Sequence, residues 1–414
     1  ETYDANADLV GVYSEGHDPL APISHIVAKA HLEITLNAQG CFIGACTVNE
    51  SEQNTIIPVT EKSGGRTSGL AAHPLCDQIK YVTSIDKAAH ELYFKELCNW
   101  EESAYTHPIL TAVRAYVAKG TILNDLINAG IISQSGKPDG KTLKLMIRWR
   151  VNGCGSEEPA CWKNKRLFAL YQDYYLSLIS MRDHIFCMIS GKEDSTVLQH
   201  PSGIIPIPYK AKLISFNSDD FAYRGRFTED RQAATVGYVA SQKAHNALRW
   251  LASEQGVREF SGNRIFLCWN PQGKEVPRIM RPMRREDAEA VRMPDNYRQQ
   301  LMSTMLSFRK DHQLSAADQA VIASFDAATT GRLAVTYYNE ISLETFLERM
   351  VDWDAHCCWY NGKYGIQAPN LLQITDCAFG TVRGGWLETD DKIQRQLLQR
   401  LLDCKVSGGV FPVD

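Results

Sequence analysis

One stretch, residues 210–250, limits the possible folds of this chain more than any other part. Residues 210–217 predict a buried strand that reaches a polar end. Ser218, Asp219 and Asp220 then favour a turn, because short polar side chains bond to nearby backbone groups. Residues 233–251 have apolar side chains at a helical period. The stretch therefore predicts a strand, a turn and a packed helix in sequence.

The predicted turn interleaves aromatic and basic side chains: Phe221, Tyr223, Arg224, Arg226, Phe227 and Arg231. In one interpretation the aromatic rings anchor the turn in a hydrophobic core, which is their commonest role. In the other, the guanidinium groups contact phosphates and the rings stack on bases or sugars. The residues alone leave both interpretations open.

The rest of the chain mixes short strand patterns with longer helical ones, which predicts an α+β, multi-domain fold. The N-terminal part is predicted to be rich in β-hairpins, the clearest within residues 25–48, with amphipathic helices between them. We predict domains at residues 1–150, 151–273 and 274–414. The last domain begins with a charged, proline-containing segment, 274–298, which is typical of an exposed connector.

A glycine-rich segment near residue 65 has the composition of an anion-binding loop. Its paired glycines allow backbone to approach a ligand closely, and its cationic and hydroxyl side chains are donors that phosphate or a DNA groove requires. A solvated loop without a ligand is the alternative interpretation. The candidate binding residues are Lys62, Ser63, Gly64, Gly65, Arg66, Thr67 and Ser68.

Composition argues against several functional classes. The net charge of −4 at pH 7 disfavours a free-standing nucleic-acid-binding protein, although it permits local basic patches. No apolar run reaches the roughly 18 residues of a membrane helix, so we expect a soluble, cytoplasmic protein. The 12 cysteines include no Cys-x-x-Cys pair, which disfavours a disulfide framework and a zinc site.

Catalytic motifs are also missing from the sequence. The segment 136–142 resembles a P-loop but has one residue too few between its glycines, and a strand pattern follows where a P-loop requires a helix. No nucleophile elbow or His-Glu-x-x-His motif is present. We therefore predict no catalytic residue, metal or cofactor. A free-standing soluble hydrolase or nuclease, with a site built from distant residues, stays open as the alternative.

Several blocks resemble the large subunit of the type I-C CRISPR Cascade complex. They are spread over most of the chain, and their common order is more specific than any single block. The blocks are residues 54–63, Arg66-Thr67, residues 73–77, residues 213–217, Tyr223-Arg224-Gly225, residues 331–338, Trp353 and Trp359.

The resemblance implies a non-catalytic role in an RNA-guided antiviral ribonucleoprotein. Such a subunit recognises the protospacer-adjacent motif (PAM) on double-stranded target DNA, aids duplex opening and R-loop formation, and helps recruit a helicase-nuclease. Its implied partners are crRNA, the backbone subunits, the subunit that caps the crRNA 5′ handle, and the small subunit. The resemblance places residues 62–68 at the PAM, with Asn217, Arg224 and Arg226 as second-rank nucleic-acid contacts. It also implies a C-terminal helical bundle that we expect this chain to lack.

Overall fold

The computed structural model describes residues 1–66, 69–133, 138–205, 210–215, 234–255, 260–261, 263–283, 290–329, 331–362 and 365–411. The chain divides into two compact units. The N-terminal unit comprises Ala7–Ile204 and Lys212–Trp250, and the C-terminal unit comprises Glu1–Asn6, Ile205–Ala211 and Leu251–Asp414. Both units contain helices and strands, which confirms the predicted α+β, multi-domain class. The predicted domain limits at residues 150 and 273 stay predictions.

Three small sheets lie in the described part of the N-terminal unit. Its strands are β1 (His25–Lys29), β2 (Leu32–Asn37), β3 (Phe42–Thr47), β4 (Asn54–Pro58), β5 (Ile147–Asn152), β6 (His184–Phe186) and β7 (Glu193–Ser195). Strand β2 lies in the centre of a three-stranded sheet, antiparallel to β3 and parallel to β5. Strands β1 and β4 form an antiparallel pair, and so do β6 and β7.

The β2–β3 connection confirms the predicted hairpin. The Asn37 side-chain oxygen accepts hydrogen bonds from the backbone N–H groups of Gln39 and Cys41, at 3.0 and 2.8 Å. Gly40 has a φ of +68°, and a Cβ at this position would lie 2.4 Å from the Ala112 carbonyl oxygen. Glycine is therefore required both by the backbone conformation and by the close approach of a helix.

Helices of the N-terminal unit contribute to an aromatic core. They are α2 (Glu61–Gly64), α3 (Ile79–Val82), α4 (Lys87–Glu101), α5 (Pro108–Val117), α6 (Ile122–Asn128), α7 (Lys165–Ile179) and α8 (Tyr238–Gln255), after the N-terminal α1 (Thr2–Ala5) of the other unit. Trp100 of α4 and Tyr171 of α7 are fully buried, with ring centroids 4.7 Å apart in an edge-to-face arrangement. Replacing such a ring by alanine typically costs about 3–5 kcal/mol.

The C-terminal unit is built on an antiparallel sheet of order β11-β10-β9-β8. Its strands are β8 (Phe260–Ser261), β9 (Arg264–Trp269), β10 (Gln319–Thr329), β11 (Arg332–Ser342), β12 (Trp359–Tyr360), β13 (Ile366–Gln367), β14 (Thr381–Arg383) and β15 (Trp386–Glu388). Its longer helices are α9 (Pro294–Asp311), α10 (Leu343–His356), α11 (Leu371–Phe379) and α12 (Asp391–Ser407). Among the described residues of both units, no helix combines the length and the apolar content needed to span a bilayer.

Three predicted elements differ from the structure. Residues 210–215 form no strand, and Lys212 makes only an isolated bridge to Ser202; residues 216 and 217 lie outside the described residues. The following helix, α8, begins at Tyr238 and not at residue 233. The expectation of exposure for segment 274–298 is wrong at Ile279, Met280 and Met283, which lie in the C-terminal core. Their burial depends on packing partners far along the chain, which the local charge pattern does not show.

Candidate nucleic-acid interface

The predicted glycine-rich loop begins with a turn of helix. Thr60 precedes α2, and its hydroxyl oxygen accepts a hydrogen bond from the Ser63 N–H at 3.1 Å. The Ser63 hydroxyl oxygen accepts in return from the Thr60 N–H at 3.0 Å, which completes a capping box. Ser63 is buried, so its hydroxyl group stabilises the turn from inside the fold.

Glu61 connects this turn to two other segments through an ion pair and hydrogen bonds. Its buried carboxylate pairs with the guanidinium of Arg182, which follows α7. The same carboxylate accepts hydrogen bonds from the backbone N–H groups of Leu198 and Gln199, at 2.9 and 3.3 Å. In addition, the Glu61 N–H donates to the Tyr175 hydroxyl oxygen at 3.0 Å. With these bonds a buried charge is compensated and the turn is held in place.

Arg66 closes the other end of the segment. Its two terminal nitrogens donate to the two oxygens of the Asp77 carboxylate at 3.1 and 2.9 Å, and one of them also donates to the Ala71 carbonyl at 2.8 Å. The guanidinium carbon lies 4.4 Å from the ring centroid of Tyr81. Asp77 is fully buried and also accepts from the backbone N–H groups of His73 and Gln78, each at 2.7 Å. A bidentate pair of this kind fixes geometry as well as charge.

The remaining predicted residues of the segment differ in exposure. Lys62 is exposed, and its ammonium group has no hydrogen bond or ion pair among the described residues. Gly64 and Gly65 are half-buried; a Cβ on Gly65 would lie 3.0 Å from the Gln199 side-chain nitrogen. Thr67 and Ser68 lie outside the described residues, as do Asn217, Arg224 and Arg226.

An exposed apolar hairpin follows α7 in the chain. Strands β6 and β7 pair from His184↔Ser195 to Phe186↔Glu193, and the connection between them includes Met188 and Ile189. Phe186, Met188 and Ile189 are 62–72% exposed. Asp194 connects this hairpin to α8, because its carboxylate accepts a hydrogen bond from the Val239 N–H at 3.1 Å. The hairpin therefore presents large apolar side chains to solvent on a tethered base.

A family model described as a CRISPR-associated protein (Cas_Csd1) matches residues 3–414, nearly the whole chain. The chain belongs to this CRISPR-associated family. No curated protein matches the chain. Membership of the Cas_Csd1 family confirms the coarse part of the resemblance, a protein of CRISPR defence.

Sequence reasoning missed several residues that shape the segment in this Cas_Csd1 chain. Glu61, Asp77, Tyr81 and Arg182 hold the turn, yet none of them stands at a spacing that predicts the contact. Arg182 and Glu61 are 121 residues apart. The sequence around Asp77 mixes charged and apolar residues. That pattern alone does not show which residue pairs with Arg66.

Proposed function

We propose that this chain is the large subunit of a type I-C Cascade complex and that it recognises the PAM on double-stranded target DNA. The observation that best supports contact with a duplex is the cationic Lys62 side chain, exposed on a turn whose two ends are fixed by ion pairs to buried carboxylates. Because the backbone of the turn is already fixed, binding of a duplex requires no further ordering of that backbone. The match to the CRISPR-associated family supplies the biological context.

The two cations of the segment have different roles in this proposal. Lys62 contacts a phosphate, whereas Arg66 positions the backbone between residues 66 and 77, because its guanidinium is already paired with Asp77. Thr67 and Ser68 remain candidate contacts from the sequence. Asn217, Arg224 and Arg226 remain second-rank candidates on the same basis.

The apolar hairpin is proposed to aid duplex opening. Phe, Met and Ile side chains that enter a base step unstack it and kink the duplex. Phe186, Met188 and Ile189 have this chemistry and are exposed. Glu61 fastens the segment of Lys62 to Arg182, which lies directly before the hairpin in the chain. Contact and strand separation can therefore occur at neighbouring positions on one duplex.

A binding measurement tests the role of Lys62. The complex is assembled with Lys62→Ala, and affinity for a PAM-containing duplex is measured at several salt concentrations. We expect weaker binding and a salt slope lower by about 1, the signature of one lost phosphate contact. Lys29→Ala, which removes another exposed lysine of the N-terminal unit, is the matched control and leaves the slope unchanged. An unchanged slope in Lys62→Ala would exclude this residue from the interface.

A second measurement separates opening from binding. Phe186→Ser and Met188→Ser remove apolar surface that is exposed, so the fold should tolerate them. We expect near-normal binding of the closed duplex but a lower rate of R-loop formation, measured by fluorescence of a base analogue next to the PAM. A duplex with a pre-melted segment at that position should restore the rate. If the closed duplex opens at the normal rate, the hairpin has no part in opening.

We also propose that the chain acts by binding and has no catalytic activity of its own. Within the described parts of the chain, no three His, Cys, Asp or Glu side chains stand close enough together to hold a metal ion. The proposed partners are crRNA, the backbone and handle-capping subunits, the small subunit and a recruited helicase-nuclease. Co-purification of the chain with guide RNA of uniform length would support this assembly. Cleavage of DNA or a small molecule by the isolated chain would favour the hydrolase or nuclease alternative.

A further inference from the structure

A cluster of cationic and polar side chains lies inside the N-terminal unit, apart from the pairs described above. It comprises His200, Ser202, Lys212, Ser241, His245, Asn246 and Arg249. The Arg249 guanidinium donates to the Ser202 carbonyl oxygen at 2.8 Å and to the Asn246 side-chain oxygen at 3.2 Å. Lys212 pairs with Ser202 through its backbone, so Ser202 lies between the two cations in the contact network. We call this set the cation cluster.

The charges of the cation cluster have no anionic counterpart among the described residues. Arg249 has only neutral oxygen acceptors there, which leave most of its five N–H donors unused. The Lys212 ammonium group is half-buried and has no hydrogen bond or ion pair within the same residues. Burial lowers the pKa of both groups, that of Arg249 to about 10. Removing a cation from water without an opposite charge costs free energy, which a bound anion would recover.

Two neutral groups add unused polar atoms to the cluster. The Ser202 hydroxyl oxygen and the His245 Nε2 atom are buried and have no hydrogen-bond partner among the described residues. Ser202 and His245 are 5% and 1% exposed. Buried polar atoms are normally hydrogen-bonded, so these two atoms can accept a hydrogen bond from, or donate one to, a ligand or a water molecule. A Cβ on Gly65 would lie 3.5 Å from the Ser202 hydroxyl oxygen, so the cluster adjoins the segment of Lys62.

From this geometry we propose that Arg249, Lys212 and the Ser202 hydroxyl form a binding site for a phosphate group. The bound group is a backbone phosphodiester of the nucleic acid that contacts Lys62, and in this respect the inference rests on the proposed function. Guanidinium, ammonium and hydroxyl donors are the groups that proteins use most often for phosphate. The site contacts only the backbone, so it positions the duplex and reads no base.

The first test measures the site without nucleic acid, in the full chain. Inorganic phosphate should raise the Tm more than chloride at equal ionic strength. Lys212→Met should abolish this difference, and it should raise the Tm in phosphate-free buffer by removing an uncompensated charge. Lys29→Met is the control and keeps the phosphate response. Equal Tm values in phosphate and chloride would overturn the site, and so would a destabilised Lys212→Met protein in phosphate-free buffer.

Ser202→Ala provides an independent variant, because its hydroxyl group has no partner to lose among the described residues. It should fold normally and weaken the phosphate response. If phosphate raises the Tm of Ser202→Ala as much as that of the wild-type chain, the Ser202 hydroxyl group does not contact the phosphate.

The second test asks whether the occupant is a nucleic-acid backbone. Lys212→Met should lower the salt slope of duplex binding by about 1, additively with Lys62→Ala. A phosphate response without a change of salt slope would overturn the backbone assignment and leave the Lys62 contact intact. Conversely, loss of the proposed function would show as an unchanged slope in Lys62→Ala, while the phosphate response of the cation cluster persists.

Discussion

Two groups of partly buried cationic side chains in the N-terminal unit differ in whether a carboxylate neutralises them. Arg66 and Arg182 each face a buried carboxylate, Asp77 and Glu61, with short bonds and additional backbone donors. Lys212 and Arg249 face only neutral acceptors or none among the described residues. The first arrangement uses charge to fix the backbone. The second leaves charge available for a ligand, at a cost in stability.

The comparison also separates residues that composition treats as equal. Lys62, Arg66, Lys212 and Arg249 are all cationic residues in or near the segments that resemble a nucleic-acid-binding subunit. The fold shows that Asp77 neutralises Arg66, whereas Arg249 meets no carboxylate among the described residues. Local charge density therefore identifies candidates for nucleic-acid contacts, but the pairing decides which of them remain available.

The largest effect is expected on the paired side of this comparison. Arg66→Ala leaves the fully buried Asp77 carboxylate without its counterion, and we expect a loss of about 3–5 kcal/mol in the free energy of unfolding, measured by denaturant titration. Arg166→Ala is the matched control, since Arg166 is largely exposed in its pair with Glu157 and should cost less than about 1 kcal/mol. Similar losses in the two variants would contradict a structural role for the Arg66–Asp77 pair.

The next largest effect is expected at acid pH, where protonation of the imidazoles of the cation cluster should lower the free energy of unfolding. Burial lowers the pKa of His200 to about 4 and that of His245 to about 3, and repulsion by Lys212 and Arg249 respectively adds to this. Because the pKa of each histidine is lower in the folded state than in the unfolded state, its contribution to folding stability is fully present above about pH 6.5. This contribution is lost as the pH decreases towards 4. Each histidine contributes at most about 1.4 kcal/mol per pH unit.

The variant His200→Gln isolates this contribution. The difference in unfolding free energy between the wild-type chain and the variant should shrink towards acid pH, and phosphate should reduce the wild-type slope because a bound anion favours the imidazolium. Denaturant midpoints between pH 7.5 and pH 5 measure both effects. An identical pH slope in the variant would mean that His200 is not buried as a neutral group.

Elements with local signals were predictable from the sequence. The hairpin around Asn37 and Gly40 has turn residues whose own side chains and φ angles define it. Helix α10 has apolar residues at a helical spacing, Leu343, Phe346, Leu347 and Met350, and Ser342 caps it by accepting a hydrogen bond from the Thr345 N–H at 3.2 Å. In both cases the decisive interactions lie within a few residues, so the pattern contains them.

Elements that depend on distant partners were not predictable. The spacing of Ser315 and Asp318 resembles a capping box, but strand β10 follows, and Asp318 instead accepts from the Ser315 N–H and from the Lys274 ammonium group. Likewise, the sequence identified Lys62 and Arg66 as donors but could not distinguish them, because Asp77 and Glu61 act through contacts that the fold creates. The interface was therefore predicted in composition and not in geometry.

A smaller effect should follow from loosening the turn without removing a charge. Thr60→Ala deletes the hydroxyl that accepts from Ser63, and a lost helix cap costs about 1 kcal/mol. Thr60→Ser keeps the oxygen and should restore most of the stability. Denaturant titration measures the difference, and duplex affinity should fall only slightly because Glu61 and Arg66 still hold the segment. Equal stability of the two variants would show that the capping box contributes nothing measurable to the free energy of unfolding.

The smallest effect on stability is expected for a substitution at Gly65. The same substitution gives the most direct test of whether the turn and the cation cluster are connected. Its φ is −98°, so alanine introduces no backbone strain, and the nearest atom to the new Cβ, at 3.0 Å, is the end of the flexible Gln199 side chain. We expect a change below about 1 kcal/mol in the free energy of unfolding. The added methyl group would, however, narrow the space in front of the Ser202 hydroxyl, where the phosphate is proposed to bind.

Gly65→Ala should therefore reduce the phosphate-induced rise in Tm, while the Arg66–Asp77 pair stays intact. Gly64→Ala is the matched control, because its Cβ would meet Val59, at 3.3 Å, and not the cation cluster. Because both substitutions add one methyl group to the same turn, a difference in phosphate response between them cannot arise from a general stiffening of the backbone. A phosphate response that is lost in Gly65→Ala but kept in Gly64→Ala would show that the turn adjoins the phosphate site of the cation cluster. Equal responses in the two variants would mean that the turn and the cation cluster act independently.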